Sequence, residues 1–145
     1  MLHRCRVVSV VFLFLLCLII PLNAANNQRG FQGYFNFRQV DASSAQVSVT
    51  LDVKLLNRTG TDVRGATISV HDSSQPKESY GSFPLLSIAS GQVVDVSQAF
   101  TLPQREVQHW QRGGAPLFVI SYTNSEGRTV QQRIALMRRP LKGGN

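Results

Sequence analysis

Residues 104–114 (QREVQHWQRGG) hold the chain's single tryptophan, Trp110, together with Arg105, His109 and Arg112, ahead of a Gly-Gly pair. Tryptophan and arginine are the residue types in which binding energy concentrates. One reading is a protruding loop in which Trp110 stacks on a sugar ring, a lipid or a partner side chain while the arginines hold anions. The other is a plug, with Val107 and Trp110 closing the open end of the fold and the Arg and Gln side chains in solvent. Tryptophan is largely buried in small domains, so the plug is the favoured reading. A second group, Arg128, Arg133, Arg138, Arg139 and Lys142, would suit a polyanion such as a surface polysaccharide, an anionic lipid or a nucleic acid. Arg128 and Arg133 fall on opposite faces of a strand, however, which favours a merely solvated basic face. Nucleic acid ranks low as a partner.

Catalytic signatures are sparse. His71-Asp72-Ser73 holds triad residue types, but consecutive residues on an extended chain point to opposite faces, so this reads as a strand end with an Asx-type turn. No His-x-His, His-Glu-x-x-His or Asp-rich calcium loop occurs, and neither a Gly-x-Ser-x-Gly elbow nor a phosphate loop is present. Asp72, Glu78, Glu106 and Glu126 could supply a carboxylate pair for glycoside hydrolysis, yet eight acids permit many accidental pairs. A hydrolase is the least favoured reading, and no metal or cofactor is expected. Asn57-Arg58-Thr59 fits the N-glycosylation pattern, and its three residues serve equally well as a turn.

Residues 1–24 read as an export signal. A short basic start, MLHRCR, precedes 14 residues, 7–20, interrupted only by Ser9; Pro21 breaks the run and Ala24 offers a small residue for cleavage, with Ala25 as the alternative. Fourteen helical residues rise about 21 Å against a hydrocarbon core of about 30 Å, so an uncleaved anchor is disfavoured. Lipidation at Cys17 is disfavoured because Leu16 is not small. Removing Arg4 and Arg6 with the signal takes the 15 basic groups to 13 against 8 acids, net +5 over 121 residues. Both cysteines, Cys5 and Cys17, go with it, so the mature domain is disulfide-free and its stability must come from an apolar core. One domain of this length buries roughly two thirds of its unfolded surface, which excludes a two-domain enzyme.

The elements available to position these residues are strands. Residues 46–55 alternate without a break, placing Val47, Val49, Leu51, Val53 and Leu55 on one face, which is the period of a half-buried strand. Residues 56–62 are turn chemistry, and residues 63–71 alternate again with Ala66, Ile68 and Val70 inward. Residues 80–88 are extended, but Pro84 restricts them to an edge or a bulge. Residues 92–102 keep Val94, Val96, Phe100 and Leu102 in one phase. Residues 116–123 are apolar on both faces, as a central strand is. Residues 124–127 signal a hairpin, returned by residues 128–137 with Val130, Ile134 and Leu136 in register. Phe31, Phe35 and Phe37 mark a first strand. Residues 104–111 offer one or two helical turns, and residues 25–30 and 140–145 read as flexible tails. The expectation is an all-β, antiparallel, seven-stranded β-sandwich over residues 31–139, with a small barrel as runner-up.

The sequence of an alternating strand, then Asn57-Arg58-Thr59-Gly60, then a strand from Val63, with Gly91-Gln92 opening a later one, resembles the immunoglobulin-like sandwiches of secreted bacterial proteins. The resemblance extends over residues 46–137 and departs from the antibody pattern in having no cysteine pair and no early tryptophan. It implies adhesion, display, assembly or spacing. The resulting expectation is an exported, non-enzymatic binding or assembly module, periplasmic or extracellular. Its partner would be a protein or an envelope glycan, met through an exposed edge strand or through loop contacts at Arg105, His109, Trp110 and Arg112. The alternative is an anionic-ligand binder acting through Arg128, Arg133, Arg138 and Arg139.

Overall fold

The computed structural model describes residues 30–41, 45–84 and 87–139. The export signal, residues 25–29, and the tail with Lys142 lie outside the described residues, as do Leu85 and Leu86. Among the described residues nine strands and one helix follow in chain order: β1 (Phe31–Asp41), β2 (Gln46–Asn57), β3 (Val63–His71), β4 (Ser79–Pro84), β5 (Ser87–Ile88), β6 (Val93–Pro103), α1 (Gln104–Gln111), β7 (Leu117–Thr123), β8 (Thr129–Ile134) and β9 (Met137–Arg138). They form two sheets, one ordered β6-β2-β1-β9 and the other β4-β3-β7-β8, with β5 also on β3.

The unbroken alternation of β2 gives it the centre of the first sheet. Its odd-numbered residues Val47 to Leu55 are buried, while Ser48, Thr50, Asp52 and Lys54 face outward. On one side it pairs with β1, setting Phe35 beside Val53 and Phe37 beside Leu51. On the other it pairs with β6 over eleven consecutive residue pairs without a register shift. In the second sheet β7 lies between β3 and β8, the central place expected for it, although only one of its two apolar faces is buried. Phe118, Ile120 and Tyr122 point into the core. Rings from opposite sheets meet there: Phe31 on Tyr122 at 5.4 Å, Phe35 on Phe118 at 5.3 Å and Phe83 on Phe100 at 5.1 Å between centroids. These tilted and edge-on pairs join two sheets into one all-β sandwich.

The turn after β2 carries the chain from the first sheet to the second. Asn57 pins it. Its side chain is wholly buried, with Nδ2 directed at the carbonyls of Thr61, Ile88 and Ala89 at 2.9–3.2 Å and Oδ1 accepting from the Thr59 amide and hydroxyl. One amide thus ties the β2–β3 turn to the approach into β6. The nitrogen that a glycan would modify is committed to the fold.

Two of the seven expected strands each appear as two among the described residues. The expected strand over residues 80–88 is seen as β4 and β5, both antiparallel to β3 at the sheet edge and in one register with it, with Leu85 and Leu86 between them outside the described residues. The expected strand over residues 128–137 also divides. β8 stays on β7, and Ala135 and Leu136 carry the chain across to the other sheet, where β9 lies parallel to β1 with Tyr34 beside Met137. The sandwich is therefore not purely antiparallel.

Candidate functional site

Helix α1 turns the tryptophan segment inside out relative to a binding loop. Its 3.6-residue period sets Arg105, His109 and Arg112 along one exposed stripe and sends Val107 and Trp110 into the core. Trp110 is 1% exposed, its ring lies edge-on to Phe37 at 5.5 Å, and its indole N–H donates to Glu106 Oε1 at 2.7 Å. The stacking role considered for Trp110 is corrected by this packing, since its ring surface is occupied by the protein itself. His109 lies over Gly114, where an added Cβ would meet the imidazole at 2.2 Å. Arg105 reaches toward Asp72, 3.9 Å from Oδ2.

The four candidate anion-binding arginines do not converge. Arg128 pairs with Glu126 at the tip of the β7–β8 hairpin. Arg133 lies on the outer face of β8, opposite Val119. Arg138 lies 4.7 Å over the Phe37 ring and donates to the Trp110 carbonyl at 2.5 Å. Arg139 lies 4.9 Å over the Tyr34 ring and donates to its hydroxyl at 2.8 Å. Two of the four thus serve intramolecular contacts on the first sheet, and the others stand on the second.

At the end of β3, Asp72 makes the expected Asx-type turn and is more deeply embedded than a turn requires. It is 1% exposed. Oδ1 accepts from the Ser74 amide at 2.7 Å, the Ser74 hydroxyl at 2.6 Å and the Gln75 amide at 3.0 Å, while Oδ2 accepts from the Tyr80 hydroxyl at 2.9 Å. The Ser74 hydroxyl leads the effect that lowers its pKa from 3.8 to about 2, against the opposing cost of burial. Burial first, and then the bond to Asp72, push the Tyr80 phenol upward.

His71 turns to the other face, where Nε2 is 3.0 Å from Ser69 Oγ, and Ser69 Oγ donates to the Val119 carbonyl at 3.2 Å. With the Ser69 hydroxyl hydrogen on the Val119 carbonyl, the contact is completed by the imidazole tautomer that donates from Nε2. Nδ1 is buried without a hydrogen-bond partner among the described residues. This serine–histidine pair is an i, i+2 contact that a search for spaced catalytic motifs passes over.

The open edge of the first sheet is the feature with unmet binding capacity. In the β2–β6 ladder the even-numbered residues of β6 face β2 with their backbone groups. This parity follows from the bonds at the two ends, Asn57 N–H to Gln92 O at 3.0 Å and Gln104 N–H to Ala45 O at 3.0 Å. The odd residues Val93, Asp95, Ser97, Ala99 and Thr101 therefore aim their amides and carbonyls away from β2, and no strand among the described residues pairs there. The usual protections are absent from β6: it has eleven residues, one charge, no bulge and a proline only at its last position. Of the other edges, β4 carries Pro84 and a register shift, β8 carries Arg133, and β9 is two residues long and covers β1 only at Tyr34 and Phe35.

Beside this edge the outer face of the first sheet holds a depression of about 420 Å³ lined by Tyr34, Asn36, Asp52, Lys54, Asp95 and Ser97 among others. Its charges are internally matched. Lys54 Nζ is 3.2 Å from Asp95, Arg38 is 3.5 Å from Asp52, and Ser97 donates to Asp52. The Asp95 pairing also raises the Lys54 pKa. Among the described residues no group of three or more His, Cys, Asp or Glu could hold a metal ion, and no helix is long and apolar enough to cross a membrane.

No family model and no curated protein matches the chain. Among solved structures, the X-ray structure of Northeast Structural Genomics Consortium target SoR45 is similar at a TM-score of 0.43 and 9% identity, over 80% of this chain and 92% of that one. A crystal structure of a protein from Archaeoglobus fulgidus is similar at a TM-score of 0.30 and 9% identity, over 71% of this chain and 97% of that one.

Proposed function

We propose that this chain is an exported, immunoglobulin-like binding or assembly module that acts without turnover and engages its partner by strand addition at β6. The observation that carries the reading is the unprotected edge: five residues whose backbone donors and acceptors point outward along an unbulged, nearly uncharged strand. The immunoglobulin-like assignment draws support from connectivity, because three strands in the order β6-β2-β1 face a second sheet in the order β4-β3-β7-β8. Export draws support from the apolar segment at residues 7–20. Burial of Trp110 and dispersal of the arginines leave backbone pairing as the stronger of the two contact modes expected from the sequence.

The test is Ala99→Pro. The Ala99 amide faces the open edge, so proline there removes an outward donor and fills its place with the ring while sparing the β2–β6 ladder. The expected result is a melting curve close to the wild type, together with loss of the partner retained at high salt from the cell envelope or medium. A partner held equally well by Ala99→Pro refutes strand addition at β6. Retention that is broad and salt-labile refutes specific binding and leaves only the effect of basic charge.

A further inference from the structure

The geometry of β6 points to the occupant of its edge: we propose that it is β6 of a second copy of this chain, in an antiparallel pair whose two-fold axis passes through Ser97. This rests on the strand-addition reading above and goes beyond it by naming the partner. Three observations lead to a second copy.

The first is the self-complementarity of the charge pattern. The only charged residue of β6 is Asp95. A two-fold axis at Ser97 sets residue i of one copy beside residue 194 minus i of the other, so Asp95 lies opposite Ala99 of the second copy. The two aspartates then stand about 13 Å apart along the strands, at about 3.3 Å per residue. Each Asp95 also retains its own Lys54 at 3.2 Å. A register centred on Asp95 would oppose the two carboxylates, which like-charge repulsion disfavours.

The second is the match of backbone parity. The outward-facing residues 93, 95, 97, 99 and 101 pair only with one another in this register, so every open amide and carbonyl along that stretch meets a partner.

The third is the inward row. Val94 and Val96 are half-buried and pack on the core, each keeping part of its side chain exposed at this edge. In the proposed pair Val94 lies beside Phe100 of the second copy and Val96 beside its Gln98, which covers both valines. The two first sheets join into one eight-stranded sheet in the order β9-β1-β2-β6 and back again.

The experiment is sedimentation equilibrium of the chain purified from an exporting host, over a range of concentrations, for wild type, Ala99→Asp and Ala99→Lys. The wild type is expected to approach twice the monomer mass. In this register residue 99 meets Asp95 twice, so Ala99→Asp should weaken the dimer about tenfold or more while Ala99→Lys tightens it. The opposite signs separate register-specific pairing from a general loss of fold, and the lysine variant keeps the test alive if the aspartate variant does not fold. A dimer to which both variants are indifferent, or one that both weaken alike, overturns this pairing. A monomer at every concentration also overturns it. Amide exchange at Ser97 and Ala99 then distinguishes the two readings: protection on adding the envelope partner retains strand addition with a foreign strand, and no protection under any condition refutes both.

Discussion

Acid should find this fold through Asp72. Its carboxylate accepts four hydrogen bonds and titrates near about 2 in the folded chain against 3.8 in an unperturbed one. Each pKa unit is worth about 1.4 kcal/mol, so the group contributes about 2 kcal/mol when ionised. The folded pKa is depressed, so the unfolded chain takes up the proton first. The contribution is complete above about pH 5 and is lost as the pH falls toward about 2. Asp72→Asn cannot ionise, and its amide turns at least one N–H toward groups that donate. The variant should be destabilised at neutral pH and should lack this share of the acid sensitivity. Urea midpoints measured between about pH 6 and about pH 2.5 check it, because the gap between the two proteins should narrow by about two thirds of that contribution. That corresponds to roughly 1 M urea at a slope of about 1.3 kcal/mol/M. A constant gap across that range would refute the assignment of the depressed pKa to this hydrogen-bond cluster.

Other substitutions test other joints of the fold. Asn57→Ala strips the β2–β3 turn of its tie to the Ile88 and Ala89 carbonyls and should cost about 2–4 kcal/mol in denaturant unfolding. For the same reason the folded protein made in a eukaryotic host should carry no glycan at Asn57, so deglycosylation should leave its mass unchanged. Trp110→Ala should cost about 3–5 kcal/mol, appearing as a lower melting temperature before any partner is added. Gly33→Ala would place a methyl group 1.9 Å from the Lys54 carbonyl oxygen, so the β1–β2 pair must shift, at a cost of about 1–3 kcal/mol by calorimetry.

Alternation was the most informative signal in this chain, and its limits explain what the sequence did not reveal. The inward rows of β2, β3 and β6 were legible because each turns one apolar face to the core, and a period of two then names the residues. The break between β8 and β9 was invisible because Ile134 and Leu136 stay buried on either side of it, so the pattern remains in phase while the chain changes sheets. Parallel pairing of β9 with β1 joins residues about a hundred positions apart, beyond any local pattern. Trp110 carried its own answer, since Val107 and Trp110 are one helical turn apart and share a buried stripe. The guarded or unguarded state of an edge depends on which strand lies outermost, and composition does not record that order. Once β6 is known to be outermost, its single charge becomes meaningful.

The parallel alignment of β9 along β1 also gives the domain a mechanical direction. Tension drawn between the start of β1 and the end of β9 would pull these neighbours lengthwise past each other, loading the Arg139 amide to Phe35 carbonyl bond and the flanking Tyr34–Met137 pairing together instead of peeling them one at a time. Arg139 on Tyr34 and Arg138 on Phe37 and the Trp110 carbonyl lie across the same seam and would have to slide with it. A domain tethered at one end and pulled at the other therefore resists first where its last strand is laid beside its first, and yields only when that short seam shears.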